Sequence, residues 1–228
     1  MKKIGLIVAM DKEFNLLKGL MSAPKEAQCG NMEVVEGNIG GKNVILAHSG
    51  IGKVCAAVGV LEMIKNFTPD AIINSGVAGG IDVKTQVMDV VAGENVVYHD
   101  VWCGEPNMYG QVQGMPASYA GDRKILDEVT SLEAEANIYA GQICSGDKFI
   151  TERKELDEIK AKFPQGLAVD MESAAMAQVC YMYKVPFLSL RIISDTPGVK
   201  DHQKQYENFW DEAPKKSLDV VAKLLAKL

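Results

Sequence analysis

The sequence has 228 residues, of which 47% are hydrophobic and 24% charged, and its formal net charge is −6. This composition is typical of a globular chain and excludes long disordered stretches. The sequence lacks the clusters of basic residues that are typical of nucleic-acid-binding proteins. No apolar segment reaches the roughly 18 residues of a membrane span. We therefore expect one domain over residues 1–228, with no nucleic-acid or membrane partner.

Short apolar runs alternate with helical patterns along the whole chain. In chain order these periods predict a strand at 4–8, a helix at 11–20, a strand at 44–47, a helix at 53–65, strands at 71–74 and 89–98, a helix at 122–132, a strand at 140–144, a helix at 152–162, a strand at 167–169, a helix at 172–183, a strand at 187–193 and an amphipathic helix at 207–228. The segment 89–98 contains Gly93 and is either one bent strand or a pair of strands. The alternation predicts an α/β domain with a central mixed, mostly parallel sheet flanked by helices.

The segment 101–119 is the least regular part of the sequence. It combines glycines and prolines with Trp102, Met108 and Tyr109. Long loops inside compact domains are usually functional, so this segment is a candidate wall of a pocket.

The cysteine and histidine patterns predict neither disulfides nor a metal site. The five cysteines are widely spaced and form no C-x-x-C pair, and the three histidines lack ligand spacing. Reduced thiols are typical of a cytoplasmic protein.

Acidic residues follow several of the predicted strands. Ligands of open α/β sheets bind beyond the carboxyl ends of strands, and the acids there are interleaved with Met, Phe and Ile. Carboxylates beside flat apolar surfaces suit a nucleoside. The alternative for each acid is a helix cap. Glu172 is the hardest to explain as a cap, because the small side chains at 173–177 predict tight packing that would bury its carboxylate.

The glycine loop around Gly50 and Gly52 fits neither common nucleotide motif. Cys55 replaces the third glycine of a dinucleotide fingerprint, and Ala47 and Val54 break the pattern of a Walker loop. A helix start that binds an anion or a ribose stays open.

Arginine is scarce in this sequence. The arginines are Arg123, Arg153 and Arg191, and none lies in the first half of the chain. Enzymes that hold phosphate as a nucleophile often use several arginines, so water is favoured as the attacking group. Lysine could still hold phosphate, and that alternative stays open.

Seven motifs, in one order, cover nearly the whole chain. They are Gly5–Met10 with Glu13, Ser49–Lys53, Asn74–Gly80, Tyr98–Asp100, Ser145–Ile150, Val169–Glu172 and Arg191–Asp195. In these motifs the chain resembles the 5′-methylthioadenosine/S-adenosylhomocysteine nucleosidases, members of the purine nucleoside phosphorylase-like superfamily. The resemblance implies hydrolysis of an adenine nucleoside with a 5′-thioether, no cofactor, and a homodimer in which a neighbour's loop lies near the 5′ group. We hypothesise that the 102–119 segment makes this contact.

The resemblance also implies the roles of individual residues. Glu13 is implied as the base that activates water, Asp195 as the acid that protonates the purine at N7, and Glu172 as the ligand of the ribose hydroxyls. Phe149 is implied to stack on adenine, and the backbone of Ile150 to bind the edge of the base. The residues implied to line the ribosyl pocket are Met10, Ile51, Val77 and Met171. The residues implied to place the water and the acid are Arg191 and Ser194.

The chain departs from the family pattern in three places. The segment 101–108 diverges, which leaves the 5′ substituent open, and Val77 stands where some relatives have serine. The pocket aromatic near the C-terminus is either Tyr206 or Phe209. Two other functions are considered: a phosphate-dependent phosphorylase on the same fold, and a nucleoside-binding protein without catalysis.

Overall fold

The computed structural model describes residues 1–30, 32–197, 202–212 and 214–228. Its strands are β1 (Lys3–Val8), β2 (Ser22–Cys29), β3 (Met32–Ile39), β4 (Lys42–His48), β5 (Ala71–Gly80), β6 (Val90–Tyr98), β7 (Tyr119–Ala120), β8 (Ile138–Ser145), β9 (Gly166–Asp170) and β10 (Phe187–Asp195). Its helices are α1 (Asp11–Lys18), α2 (Lys53–Phe67), α3 (Arg123–Thr130), α4 (Arg153–Lys162), α5 (Ser173–Tyr183), α6 (His202–Glu212) and α7 (Pro214–Lys227).

All of these strands join one mixed sheet, as the sequence predicted. The order is β10-β6-β8-β9-β5-β1-β4-β3-β2, with β7 paired to β6. Among the described residues the pairings divide evenly, five parallel and five antiparallel. Because β5 also pairs with β10, the strands β5, β10, β6, β8 and β9 close into a ring.

The glycines at the end of β5 permit this closure. Gly79 pairs with Val169, and Gly80 with Ala168. A Cβ atom on Gly79 would lie 2.9 Å from Cγ of Pro197, and one on Gly80 would lie 3.0 Å from a methyl carbon of Ile193. Only glycine allows so close an approach without displacing its neighbours, so β5 runs through the glycines where the sequence predicted it to end at residue 74.

Helices cover both faces of the sheet and bury its central strands. One face packs against α1, α3 and α7, and the other against α2 and α5. Every residue of β10 is buried, including the polar side chains of Ser189, Arg191, Ser194 and Asp195.

Several elements differ from those that the sequence predicted, and the short strand β7 was not predicted. The strand β2 was missed because seven of its eight residues are not buried and show no apolar period. The strand β3 was missed although Val34 and Val35 are buried, because two adjacent buried residues break the alternation expected of a strand. The helix expected at 207–228 falls on α6 and α7: helical structure begins earlier than predicted, at His202, and residue 213 lies outside the described residues.

Candidate active site

The predicted site residues all border one cavity. Those residues are Met10, Glu13, Ile51, Val77, Phe149, Ile150, Met171, Glu172, Arg191, Ser194 and Asp195. They come from α1, β5 and β10, from the segments that follow β1, β8 and β9, and from the segment before α2. The cavity is partly open to solvent.

Glu13 lies in the first turn of α1 and is held by backbone amides on both carboxylate oxygens. Its Oε2 accepts hydrogen bonds from the N–H groups of Ala9 (3.2 Å) and Met10 (3.1 Å), and its Oε1 accepts one from Val77 (3.0 Å). Burial raises the pKa of Glu13, while Arg191 and the three amides oppose that shift. The side chain is therefore a fixed, desolvated carboxyl group that can accept a proton more readily than an exposed one.

Glu172 is a second buried carboxyl group in the cavity. Its Oε1 accepts a hydrogen bond from the N–H of Gly52 at 3.0 Å, and its Oε2 lies 3.7 Å from Nη2 of Arg191. Burial raises the pKa of Glu172 to about 7, against the lowering effect of Arg191 and with further raising by Asp170 and Glu13. This carboxyl group therefore changes charge near neutral pH.

Asp195 is the last residue of β10 and is 3% exposed. The hydroxyl of Ser194 donates a hydrogen bond to its Oδ1 at 2.5 Å, and the same hydroxyl lies 3.3 Å from the carbonyl oxygen of Ala78. Ser194 therefore fixes the orientation of the Asp195 carboxyl group at the edge of the cavity.

Arg191 is fully buried in a polar network behind these acids. Its Nε lies 2.7 Å from Oδ2 of Asp170 and 3.1 Å from Oγ of Ser173, and its Nη2 donates to the side-chain oxygen of Asn74. A buried ion pair is tolerated when its remaining polar atoms are satisfied in this way. Sequence reasoning assigned no role to Asp170, Asn74 or Ser173, although the first two lie in the quoted motifs.

Gly76 lies close to both Arg191 and Glu13. A Cβ atom at this position would overlap Nη1 of Arg191 and lie 3.0 Å from Oε1 of Glu13. The glycine therefore leaves room for the guanidinium group beside the carboxylate, a role that the sequence did not reveal.

Aromatic side chains form the outer wall of the cavity. Phe149 is half-exposed, and its ring centroid lies 5.9 Å from that of Tyr206 at an interplanar angle of 69°. Tyr206 lines the cavity and its hydroxyl lies 3.6 Å from Sδ of Met10, whereas Phe209 is buried in the core. Tyr206 is thus the pocket aromatic that the sequence left undecided.

The irregular 101–119 segment lies away from this cavity in the same chain. Its residues border two other surface depressions, and none of its described residues lines the cavity. Within one chain, the 101–119 segment therefore borders those two depressions and does not border the candidate active site.

Within the described ranges, no group of three or more His, Cys, Asp or Glu side chains is placed to hold a metal ion. Among the same residues, no helix is both long and apolar enough to cross a membrane.

Comparison with known proteins identifies the superfamily of this chain. Residues 3–226 match the family model described as Phosphorylase superfamily, so the chain belongs to that superfamily. It is 39% identical to a 5′-methylthioadenosine/S-adenosylhomocysteine nucleosidase of Actinobacillus succinogenes and 38% identical to one of a Geobacillus species, each over 99% of both chains.

Solved structures agree with this relationship. The chain superposes with a TM-score of 0.94 on the nucleosidase of Neisseria meningitidis in complex with methylthio-immucillin-A, at 35% identity and over 100% of both chains. The score is also 0.94 for the enzyme of Colwellia psychrerythraea in complex with adenine, at 32% identity over 100% of this chain and 96% of the other. The chain belongs to the 5′-methylthioadenosine/S-adenosylhomocysteine nucleosidase family, and the predicted resemblance and fold are confirmed.

Proposed function

We propose that this chain hydrolyses the N-glycosidic bond of 5′-methylthioadenosine and S-adenosylhomocysteine and releases adenine. A further candidate substrate is 5′-deoxyadenosine. The observation that carries the proposal is the placement of three buried carboxyl groups, those of Glu13, Glu172 and Asp195, around one cavity. The names of the relatives and the ligands of the solved structures support the same chemistry.

The reaction needs a base, an acid and a stabiliser of positive charge. Cleavage of the C–N bond gives the ribose oxocarbenium character, which nearby carboxylates stabilise in a dry site. Asp195 protonates the leaving purine at N7, and Ser194 orients that acid. Glu13 deprotonates the attacking water, and the raised pKa of its buried carboxyl group makes it a stronger base than an exposed glutamate.

Binding of the substrate uses the remaining cavity residues. Glu172 accepts hydrogen bonds from the ribose hydroxyls, and Arg191 limits the repulsion between Glu172 and Glu13. Phe149 stacks on adenine, with the Ile150 backbone at the edge of the base. Apolar contacts to the ribosyl group come from Met10, Ile51, Val77 and Met171.

Water is favoured over phosphate as the nucleophile. Among the described residues that line the cavity, the cationic side chains are Lys148 and Arg191. Lys148 pairs with Glu155, and Arg191 is engaged by Asp170 and Asn74. A phosphate ion would therefore have to compete with partners already in place.

We also propose a cytoplasmic homodimer. Val54 and Val58 on α2 and Tyr181 on α5 are at least 55% exposed, and α2 packs against α5. Exposed apolar side chains on adjoining helices are typical of a subunit interface. The 102–119 segment of the neighbour would then lie near the 5′ group, and a monomer by light scattering would count against this assembly.

The first experiment follows the products from 5′-methylthioadenosine by chromatography, with and without phosphate. Adenine and methylthioribose in phosphate-free buffer would establish a nucleosidase. Adenine formation that depends on phosphate would instead indicate a phosphorylase and would exclude the role of Glu13 in activating water. Binding without any turnover would indicate a nucleoside-binding protein.

A further inference from the structure

Lys53, the first residue of α2, links two segments that border the cavity. Its Nζ lies 2.8 Å from Oδ2 of Asp100 and 3.8 Å from Oδ2 of Asp147. The N–H of Asp147 donates to the same Oδ2 of Asp100 at 2.9 Å, and the N–H of Lys53 donates to Oδ1 of Asp147 at 2.8 Å. These contacts join the start of α2 to the segment that follows β8.

Each of the joined segments carries part of the proposed substrate site. The N–H of Gly52 donates to Glu172, and the next amide, that of Lys53, donates to Asp147, two residues before Phe149. Gly52 has φ = +90°, and a Cβ atom there would lie 3.1 Å from Oδ1 of Asp147. The two amides therefore connect the ribose carboxylate to the base-stacking segment through a backbone geometry that favours glycine.

Among the described residues, the cluster consists of Lys53, Asp100 and Asp147. The ammonium group of Lys53 is its only positive charge and offsets the charge of the two carboxylates. The Lys53 side chain is 25% exposed, that of Asp100 27% and that of Asp147 46%. Its ammonium group also lies 5.6 Å from the ring centroid of Tyr98. Without the ammonium group the two carboxylates would repel each other, and the Asp147–Phe149 segment would lose a tether.

We propose that Lys53 is a positioning residue that fixes the Phe149 segment relative to Glu172, and this proposal rests on the proposed function. Lys53 is absent from the cavity lining. It therefore acts through Asp100 and Asp147. If the segment is looser, it must be ordered when the nucleoside binds. This cost weakens binding of the substrate and of the transition state equally, so KM rises while kcat is unchanged.

The test compares Lys53→Met, which removes the charge, with Lys53→Arg, which keeps it. Exposed ion pairs contribute little individually, so we expect a rise in KM for 5′-methylthioadenosine of about three- to tenfold in Lys53→Met, with kcat within about twofold. Lys53→Arg should restore KM to within about twofold. Salt should raise the KM of the unmodified protein and leave that of Lys53→Met nearly unchanged, because salt screens exposed charges.

A second measurement needs no substrate. Amide hydrogen exchange in residues 147–150 should accelerate in Lys53→Met and in Asp100→Asn, but not in the control Lys154→Met, an exposed position on α4. An unchanged KM, an equal loss of kcat, no rescue by arginine or unchanged exchange would each overturn the proposal. If the unmodified chain releases no adenine while exchange responds as expected, the proposed function fails and the tether by Lys53 stands.

Discussion

Glu13→Gln separates the catalytic role of this residue from its structural role. The two carboxylate oxygens accept three backbone N–H groups, two on Oε2 and one on Oε1. A glutamine side chain has one carbonyl oxygen. When this oxygen takes the place of Oε2, it keeps the hydrogen bonds from the N–H groups of Ala9 and Met10. The amide NH₂ then faces the N–H of Val77, at the position where the carboxylate oxygen lay 3.0 Å away.

The structural cost of this substitution is modest and the catalytic cost is large. One unsatisfied buried donor costs about 1 to 3 kcal/mol, and relief of the buried charge offsets part of it. For a chain of this size Tm falls by about 2 to 4 °C for each kcal/mol. Loss of a general base lowers kcat by about 100- to 10,000-fold, which is about 3 to 5 kcal/mol of barrier.

The assay is adenine release at saturating 5′-methylthioadenosine, with adenine affinity measured by calorimetry. We expect Glu13→Gln to bind adenine within about threefold of the unmodified chain and to lose at least about 100-fold in kcat. Glu158→Gln, the same change at an exposed position on α4, should keep full activity. A folded Glu13→Gln protein with more than about one tenth of the original kcat would refute the assignment of Glu13 as base.

Four further predictions concern Glu172, Gly76 and Asp195. Burial raises the pKa of Glu172 from its ordinary value of 4.5 to about 7, so the contribution of this residue to stability is present below pH 4.5 and is lost as the pH rises through about 7. Thermal unfolding at pH 5 and pH 8 should show a smaller loss of stability in Glu172→Gln than in the unmodified chain, and an equal loss would contradict the burial of this charge. In the unmodified chain kcat/KM should rise through the same pH range, because the ribose hydroxyls need an ionised acceptor, and a flat profile would remove Glu172 from substrate binding. Gly76→Ala should lower kcat by at least about tenfold, since the methyl group displaces Arg191 and a 1 Å misplacement near the chemistry can cost about 100-fold, and activity within about twofold would show that the guanidinium position is unimportant. Asp195→Asn should lower kcat by about 100- to 10,000-fold for 5′-methylthioadenosine but much less for a substrate analogue whose leaving group needs no proton, and equal losses on both would contradict its role as acid.

Local pattern predicted most of the secondary structure. The buried strands β1, β4, β6, β8 and β10 and the helices α2 to α5 lie close to their predicted positions, because apolar period reports burial directly. The same reasoning did not predict β2, since an exposed strand pairs through its backbone and leaves no apolar pattern. It also did not predict β3, in which the adjacent residues Val34 and Val35 are both buried and break the alternation. The continuation of β5 beyond residue 74 depends on a partner strand, β9, far away in the chain.

The site could be predicted only in part. Acids after strands suggested a nucleoside pocket, and the ordered motifs supplied eleven of the residues that border the cavity. The individual roles of these residues stay predictions. Arg191 was assigned to the water and the acid, but its partners Asp170, Asn74 and Ser173 were not identified. These polar residues were indistinguishable from caps and core residues until their contacts were known.

The sequence by itself determined the α/β class, the placement of most strands and helices, and the family, because apolar period and ordered motifs are written along the chain. Tertiary structure alone decided that Tyr206 and not Phe209 lines the cavity, and that burial brings Glu172 to a pKa of about 7. The physical reason is separation along the chain. The amide that holds Glu172 is 120 positions away and one that holds Glu13 is 64 away, so the charge state of each acid depends on contacts that only folding creates.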